Sequence, residues 1–321
     1  MMSFTALSAL FEEGFNKRHF PAEPSNLYDA SQYILGIGGK RVRPVCVLMG
    51  NELFSDIDPD AYHVAAAIEL FHNFSLIHDD IMDKAPLRRG VPTVHIEYGD
   101  STALLAGDVM LVSAYDQINL IKPGHLQSII ALFNKTAREV CEGQQLDMDF
   151  EKLDSVSMDD YLEMITLKTS VLLAASLQMG AILGGAGLGN QQLIYEFGKN
   201  IGIAFQVQDD YLDAFGDPDK FGKQVGGDIL SNKKTFLLLH TLDVASPDQK
   251  EALTDLLNNN AADKVEKVLQ LFRACKADEW AIELKQKYYD AALKNLEDIA
   301  VLSARKNELA QLAAYLLQRE S

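Results

Sequence analysis

Apolar residues along this chain recur every three or four positions, which is the spacing of an amphipathic or buried α-helix. Periodic segments cover about residues 98–119, 123–148, 157–182, 190–215 and 231–242, with several more between 247 and 318. No segment alternates between apolar and polar residues with flanking turn dipeptides, so the pattern predicts no β-sheet. Several long helices with mostly short connections predict an all-α bundle that forms a single domain over residues 1–321.

The helix with the clearest start follows Asp58, a candidate N-cap, with Pro59 at its first position. No helix breaker follows until Pro86, which predicts a rod of roughly 38 Å. The helix ends in FHNFSLIHDDIMDKAPLRRG (residues 71–90), which places three aspartates within five residues: Asp79, Asp80 and Asp83. Carboxylates at i and i+4 share a helix face and repel, and near a helix C-terminus they also oppose the macrodipole. This arrangement costs stability unless a cation compensates it.

A second acidic cluster repeats the same spacing in AFQVQDDYLD (residues 204–213), with Asp209, Asp210 and Asp213. It again ends a long apolar helix. A solvated helix end explains one such cluster, whereas two at equivalent helical positions favour a shared chemical role. Oxygen ligands from carboxylates suit Mg²⁺, which usually bridges to substrate phosphates, and the spacing does not fit an EF-hand.

The composition excludes several other classes of protein. The formal net charge of −17 argues against a nucleic-acid binder, which usually carries a basic field. Cys46, Cys141 and Cys275 are far apart, so neither a disulfide framework nor a zinc site is expected. The N-terminus shows no signal-peptide pattern. The apolar run of about 17 residues from Val171 is interpreted as a buried core helix and not as a membrane span. We therefore expect a cytoplasmic protein.

Short basic elements stand out against this acidic background. Taken singly, each is explained as a solvated surface charge, but Arg–Gly and Gly–Lys elements are common anion binders. Together with the acidic helix ends, they predict a site for a highly charged anion and its metal ions. The elements are GGKRVRP with Lys40, Arg41 and Arg43, LRRG with Arg88 and Arg89, LKTS with Lys168 and Thr169, and FGKQVGGDILSNKKT with Lys223, Lys233 and Lys234.

These motifs, together with EGQQLDMDF, occur in an order and at separations that resemble the trans-isoprenyl diphosphate synthases over nearly the whole chain. This family of head-to-tail prenyltransferases includes the farnesyl and geranylgeranyl diphosphate synthases. The first motif here has the short DDxxD form. The resemblance implies an all-α isoprenoid synthase fold with a deep central cavity, and usually a homodimer. It also implies isopentenyl diphosphate and an allylic diphosphate as substrates, with three Mg²⁺ ions when the allylic diphosphate is bound.

The resemblance implies a role for each motif residue. Asp79 and Asp83 are expected to hold two Mg²⁺ ions on the allylic diphosphate and Asp209 a third, with Asp80, Asp210 and Asp213 in support. The isopentenyl diphosphate positions are Lys40, Arg43, His72 and Arg89. The positions facing the allylic substrate are Arg88, Lys168, Thr169, Gln206, Lys223 and Lys233. Gln144 and Asp147 match an element near the cavity, and Arg319 is expected to help close the site.

The implied chemistry needs no protein nucleophile, which agrees with the absence of a convincing Ser/His/Asp or Cys/His arrangement in the sequence. Metal ions and fixed cations neutralise the departing diphosphate. The allylic carbocation is attacked by the double bond of isopentenyl diphosphate, and loss of a proton, with the released diphosphate as base, restores an alkene. Oxygens of Thr169, Gln206 and the Lys168 backbone are expected to stabilise the carbocation. In this scheme Arg88 and Arg89 divide between the two diphosphates and do not principally neutralise the aspartates.

The length of the product is expected to depend on the helix that carries the first aspartate motif. Ser75 is small and lies one turn before Asp79, so it leaves room for the growing tail, while Phe71 and Ile68 lie deeper and can form a floor. Phe74 is a second candidate for the length limit. It rests on the resemblance alone, because an ideal helix places it about 140° from Asp79. Geranylgeranyl diphosphate is the favoured product, with farnesyl diphosphate second.

Two other functions compete with this interpretation. A class I terpene cyclase shares the first aspartate motif, but it usually has a different second metal motif and needs no second diphosphate site. A non-catalytic subunit of a heteromeric prenyl synthase would be expected to lack one of the two motifs. DDYLD and GGKRVRP favour a condensing enzyme over both.

Overall fold

The computed structural model describes residues 1–153, 155–216, 226–259 and 262–317. The chain divides into two compact units. Unit 1 comprises Met1–Asn134, Ala175–Ile194 and Ala300–Glu308, and unit 2 comprises Lys135–Ala174, Tyr195–Ile299 and the residues from Leu309 onward. That residues 1–321 form one domain stays a prediction.

The described secondary structure is almost entirely helical, as the periodicity predicts. The first half of the chain forms α1 (Phe4–Phe15), α2 (Ser25–Gly36), α3 (Val42–Glu52), α4 (Pro59–Met82), α5 (Val94–Tyr98), α6 (Asp100–Asn119) and α7 (Pro123–Phe150). The second half forms α8 (Met158–Ile165), a π-helical turn (Thr166–Ser170), α9 (Val171–Leu183), α10 (Leu188–Phe215), α11 (Gly227–Leu230), α12 (Phe236–Val244), α13 (Pro247–Asn258), α14 (Lys264–Ala274), α15 (Ala277–Asp298) and α16 (Ser303–Leu317).

Several helices begin where their capping residues predict. The Asp58 side chain accepts a hydrogen bond from the backbone N–H of Asp60, and Pro59 occupies the first turn of α4. Ser157 and Ser246 each form a capping box that begins a helix, α8 and α13 respectively. The predicted start of α4 is therefore confirmed.

Two local predictions are wrong. A two-stranded antiparallel hairpin pairs β1 (Leu87–Arg88) with β2 (Val91–Pro92), where the sequence pattern predicts no sheet. Two residues per strand are too few for an alternation pattern to show. The segment predicted as a helix over 231–242 is helical only from Phe236 onward, and Asn232, with a positive φ of 55°, lies outside the right-handed helical region.

The hydrophobic core of unit 1 requires close contact between α3 and α9. A Cβ on Gly180 would lie 2.0 Å from the Val47 carbonyl oxygen, and one on Gly50 would lie 2.2 Å from that of Leu177. Both glycines are therefore needed where the two helix backbones meet. The core of unit 2 is built around Tyr161, Phe236 and Phe272, each at most 2% exposed.

The helical run Met158–Leu183 is long and apolar enough to cross a membrane by length and composition. However, 72% of its most apolar window is buried inside the protein, which is typical of a core helix. It gives no evidence for a membrane span, in agreement with the sequence interpretation. The three cysteines are free.

Candidate active site

The hairpin after α4 sends its two arginines to different partners. Arg89 and Gly90 form its two-residue turn, and both have positive φ values, 53° and 80°. Positive φ at both central positions is the requirement of a type I′ turn, in which glycine is unstrained and arginine is not. The Thr93 hydroxyl donates to the Ala85 carbonyl at 2.7 Å and ties the base of the hairpin. The hairpin thus holds both arginines beside the end of α4.

Arg88 pairs with the first aspartate motif. Its Nε and Nη2 donate to the two oxygens of Asp80 at 2.7 and 2.8 Å, and Nη2 lies 3.5 Å from Asp79 Oδ2. The Asp80 side chain is only 3% exposed, whereas that of Asp79 is 22% exposed. Arg88 thus pairs with Asp80, while the expectation that the two arginines divide between the diphosphates stays a prediction. A buried carboxylate needs a fixed cation, and the guanidinium fork satisfies both of its oxygens.

Cations from α3 and from the hairpin surround His72 of α4. Arg43 Nη1 donates to His72 Nε2 at 3.2 Å, so this ring nitrogen is unprotonated, because arginine can only donate. Burial lowers the pKa of His72 well below its ordinary value, and the charges of Arg43, Arg88 and Arg89 lower it further. His72 is therefore neutral and adds no positive charge of its own to the arginines around it.

Two further arginines of this cluster are fixed differently. Arg41 is 6% exposed, forms an ion pair with the buried Glu69, and donates to the Leu35 carbonyl at 2.9 Å. Arg89 lies against Gly39, where a Cβ would come within 2.7 Å of its Nη1. Burial lowers the pKa of Arg89, as do the charges of Arg88 and Arg41. The absence of a side chain at Gly39 thus allows Arg89 to come close, although neighbouring positive charges oppose this approach.

In unit 2, Asp210 is the centre of a buried hydrogen-bond network. It accepts bonds from the Tyr161 hydroxyl and, at 2.8 Å, from Gln206 Nε2. The Thr169 hydroxyl donates to Gln206 Oε1 at 3.2 Å. Burial raises the pKa of Asp210 to about 7, with a smaller increase from Asp228, while Lys233 acts in the opposite direction. A cavity of about 70 Å³ is lined by the four hydrogen-bonded residues of this network together with Asp147, Lys168 and Lys233.

The π-helical turn between α8 and α9 carries Lys168 and Thr169. Lys168 Nζ donates to Asp147 Oδ2 at 2.6 Å, which connects the LKTS and GQQLD motifs. A Cβ on Gly143 would lie 2.3 Å from the Lys168 backbone nitrogen, and one on Gly202 would lie 2.7 Å from Ser170 Cα. Both glycines allow α7 and α10 to pack directly on the turn. Such π-helical turns occur frequently at functional sites.

The other residues of the second aspartate motif lie around α10 and α11. Asp209 is partly exposed at the end of α10, and Asp213 Oδ2 accepts the backbone N–H of Asp228 at 3.0 Å. Lys234 is not free for an anion, because its Nζ donates to the carbonyls of Phe150, the last residue of α7, and of Leu153 just beyond it. Lys223 and Arg319 lie outside the described residues.

The residues proposed to limit chain length belong to a series of aromatic contacts in unit 1. Phe74 contacts Phe71 at 5.5 Å between ring centroids and His78 at 4.7 Å. Phe71 contacts Phe133 at 5.3 Å, and Phe133 contacts Tyr115 at 5.1 Å. Side chains become more buried from Ser75 toward the N-terminus of α4: Ser75 and Phe74 are partly exposed, whereas Phe71 is 1% exposed. The Ser75 hydroxyl donates to the His72 carbonyl at 2.8 Å.

Among the described residues, no three acidic, histidine or cysteine side chains are placed to enclose a metal ion by themselves. The donor set of each aspartate motif nevertheless fits Mg²⁺, which is typically bound by one or two carboxylates and completes its shell with waters and substrate phosphates. Asp79, Asp83 and Asp209 are partly or fully exposed, whereas Asp80 and Asp210 are buried and hydrogen-bonded.

Sequence reasoning missed Tyr161, Gly143 and Gly202. Tyr161 stands 49 positions before Asp210 with no motif around it, so only the folded chain shows its role. Gly143 lies inside the EGQQLDMDF motif, and a glycine in the middle of a long helix is a signal that suggests close packing.

The fold and these groups of residues agree with comparisons to known proteins. The polyprenyl synthetase family matches residues 24–275. The geranylgeranyl diphosphate synthase of Saccharolobus solfataricus is 36% identical over 331 residues, 99% of both chains. The short chain isoprenyl diphosphate synthase of Methanothermobacter thermautotrophicus is 38% identical over 300 residues, 92% of this chain and 91% of the relative. A solved structure of a geranylgeranyl pyrophosphate synthase superposes with a TM-score of 0.95 at 42% identity, covering 100% of both chains.

The protein therefore has the all-α fold of the isoprenoid synthases. It belongs to the polyprenyl synthetase family.

Proposed function

We propose that the protein is a trans-isoprenyl diphosphate synthase. It condenses isopentenyl diphosphate with dimethylallyl, geranyl or farnesyl diphosphate, and its main product is geranylgeranyl diphosphate. The observation that carries the proposal is the cluster of arginines around a neutral histidine in unit 1, at the end of a helix that carries an aspartate motif. Membership of the family and the relatives described above support the same reaction.

Isopentenyl diphosphate is proposed to bind Lys40, Arg43, His72 and Arg89. The support is electrostatic. Burial is the main cause of the lowered pKa values of Arg43 and Arg89. Repulsion from a neighbouring arginine lowers each pKa further, while Glu69 acts in the opposite direction. A diphosphate would relieve this repulsion through charge-assisted hydrogen bonds. A neutral His72 adds no repulsion of its own.

Mg²⁺ is the proposed cofactor, with Asp79, Asp83 and Asp209 as its main ligands and Asp80, Asp210 and Asp213 in support. Bound metal ions neutralise charge on the departing diphosphate. The chain's own contribution is to fix the carboxylates. Arg88 binds Asp80, and Tyr161 and Gln206 bind Asp210, so each motif has a buried, anchored aspartate next to a more exposed one. The number of ions, expected to be three, is part of the proposal.

The allylic diphosphate is proposed to interact with Arg88, Lys168, Thr169, Gln206, Lys223 and Lys233. Lys168 and Lys233 line the cavity beside Asp210 and bring fixed positive charge. The oxygens of Thr169 and Gln206, together with the Lys168 backbone, are proposed to stabilise the allylic cation. Hydrogen bonding between Thr169 and Gln206 fixes these dipoles before substrate arrives. The double bond of isopentenyl diphosphate then attacks, and the released diphosphate takes the proton.

Geranylgeranyl diphosphate is the proposed product because the small Ser75 leaves room beside α4 and because two of the three relatives and structures described above carry that activity in their names. Farnesyl diphosphate has less support, since none of the three is named for it. Phe71 and Phe74 are proposed to stop elongation, and their aromatic contacts support a rigid floor.

A homodimer is proposed as the assembly. Leu104, Leu105 and Val112 on α6 are 50, 55 and 60% exposed, and a second copy of the chain is the proposed cover for this apolar face. Light scattering during gel filtration tests it with the double variant Leu105→Glu, Val112→Glu, which is expected to be monomeric. A dimeric variant would show that another surface pairs the chains. A cytoplasmic location stays a prediction.

The deciding experiment incubates the purified chain with Mg²⁺, isopentenyl diphosphate and each of the three allylic diphosphates in turn. Chromatography of the dephosphorylated products is expected to show geranylgeraniol. A cyclic hydrocarbon from one diphosphate would show a cyclase. An absence of turnover by the chain alone, restored by a second subunit, would show a heteromeric synthase.

A further inference from the structure

Lys264 is a buried cation that no proposed step uses. It lies at the first position of α14 and is 1% exposed. Its Nζ donates to Asn232 Oδ1 at 2.7 Å and, more weakly, to the Leu257 carbonyl at 3.4 Å. Neither of these acceptors is charged. A buried ammonium costs free energy that two neutral acceptors offset only partly, so its presence requires a reason.

Asn232, the first partner of Lys264, stands in the loop between α11 and α12. Its φ of 55° places it in the left-handed region, where asparagine is tolerated better than most residues. Its Nδ2 donates to the same Leu257 carbonyl at 3.0 Å. The side-chain amide of Asn232 is therefore fixed on both sides, with its oxygen bound to Lys264 and its nitrogen bound to the Leu257 carbonyl in the last turn of α13.

The same loop is held again two residues further along. Lys234 Nζ donates to the Phe150 carbonyl at 2.6 Å and to the Leu153 carbonyl. Lys233 lies between the two anchored residues, and its backbone N–H donates to the Asp228 carbonyl at 2.9 Å. Its side chain lines the cavity beside Asp210.

We infer that Lys264, acting through Asn232, is a positioning residue for Lys233. The buried ammonium of Lys264 fixes Asn232 in its left-handed backbone conformation. The Asn232 backbone in turn sets the direction in which the Lys233 side chain leaves the loop. This inference rests on the proposed function in one respect, namely that Lys233 binds the allylic diphosphate. A displacement of about 1 Å at a charged group is enough to change turnover by up to about a hundredfold.

Lys264→Met removes the charge and keeps an aliphatic side chain in the buried site. Asn232→Gly removes the amide while keeping a residue that adopts positive φ without strain, and it is the second variant should Lys264→Met fail to fold. Lys267→Met is the matched control. Lys267 lies on the same helix, but its side chain is 51% exposed and its Nζ is 2.8 Å from Asp263 Oδ2.

Steady-state kinetics is the first measurement. Both Lys264→Met and Asn232→Gly are expected to lower kcat/KM for the allylic diphosphate by about tenfold, with the KM for isopentenyl diphosphate unchanged. The double variant is expected to lose no more than either single variant, because both remove the same contact. Equal kinetics in Lys264→Met and Lys267→Met would overturn the inference and leave the proposed function standing. A lower melting temperature with unchanged KM would assign Lys264 a purely structural role.

The second measurement does not depend on turnover. Acetylation of Lys233 by an amine-reactive reagent, followed by mass spectrometry, is expected to proceed several times faster in Lys264→Met than in wild type or Lys267→Met, because a released Lys233 spends more time in solvent. Equal labelling rates would overturn the inference even if the wild-type protein had no prenyltransferase activity, whereas an inactive wild type with faster labelling would overturn only the proposed function.

Discussion

The guanidinium of Arg88 holds both carboxylate oxygens of Asp80, at 2.7 and 2.8 Å, at a depth where the aspartate is 3% exposed. The two residues are eight positions apart and come together because the type I′ hairpin folds back on the end of α4. This pair stabilises a helix end that would otherwise repel itself, and it leaves Asp79 and Asp83 more exposed.

Removing Arg88 leaves the Asp80 carboxylate buried and uncompensated. We expect Arg88→Met to lower the free energy of unfolding by about 3 kcal/mol, whereas Arg89→Met, at the exposed turn, changes it by less than about 1 kcal/mol. Urea unfolding followed by circular dichroism measures both. The double variant Arg88→Met, Asp80→Asn is expected to recover most of the loss, and no recovery would show that the pair is not the cause.

The aspartate motifs are expected to be needed for turnover and not for folding. Asp79→Ala and Asp209→Ala should each lose about two orders of magnitude in kcat or more, because a metal ligand contributes several kcal/mol to the transition state. Thermal unfolding is expected to stay near that of wild type. Asp116→Ala, at an exposed aspartate on α6, is the control. Turnover like that of wild type in either variant, with Mg²⁺ present, contradicts the assignment.

The neutral state of His72 predicts a dependence of stability on pH. Its pKa is well below the ordinary value in the folded chain, so below about pH 6.5 the unfolded chain binds a proton that the folded chain does not. Stability therefore falls as pH decreases from 7 to 5, by up to about 1.4 kcal/mol per pH unit from this residue. His72→Gln keeps an acceptor for Arg43 and removes this contribution. Urea unfolding across the pH range should give a shallower slope for the variant, and identical slopes would disprove a neutral His72.

Phe74→Ala is expected to lengthen the main product by one or more five-carbon units, because it removes an aromatic ring from the partly exposed face beside Ser75. Product chromatography measures the change. Phe133→Leu separates the two candidate floors, since Phe133 supports Phe71 with a ring-to-ring contact of 5.3 Å. A longer product from Phe133→Leu alone would identify Phe71 as the residue that stops elongation. Unchanged products from both variants would show that neither Phe71 nor Phe74 limits chain length.

The contact between α7 and the π-helical turn makes Gly143 sensitive to a single methyl group. Gly143→Ala would place a Cβ 2.3 Å from the Lys168 backbone nitrogen, so we expect a loss of about 2 kcal/mol in unfolding free energy and reduced binding of the allylic diphosphate. Gly124→Ala, on the same helix with open space around it, is expected to be neutral or stabilising by up to about 1 kcal/mol. Equal melting temperatures for the two variants would show that α7 moves freely away from the turn.

Most of the helices could be predicted from the sequence because their signals are local. An N-cap such as Asp58 and an apolar stripe repeated over twenty residues act within a few turns of one another. The hairpin at Leu87–Pro92 and the loop before Phe236 could not be predicted so well, since each depends on one or two residues with positive φ. Such short elements carry too few residues for a periodic pattern.

The sequence by itself determined the fold class and the candidates for the site, because the two aspartate motifs and the basic elements are contiguous stretches whose residue types indicate their chemistry. Only the tertiary structure decided which of these charges are already paired. Arg88 with Asp80, Lys168 with Asp147 and Lys234 with the end of α7 are contacts across 8, 21 and 84 positions. The energy of a charge depends on its burial and its partners, and these are set by packing between distant segments, not by the residue's neighbours in the chain.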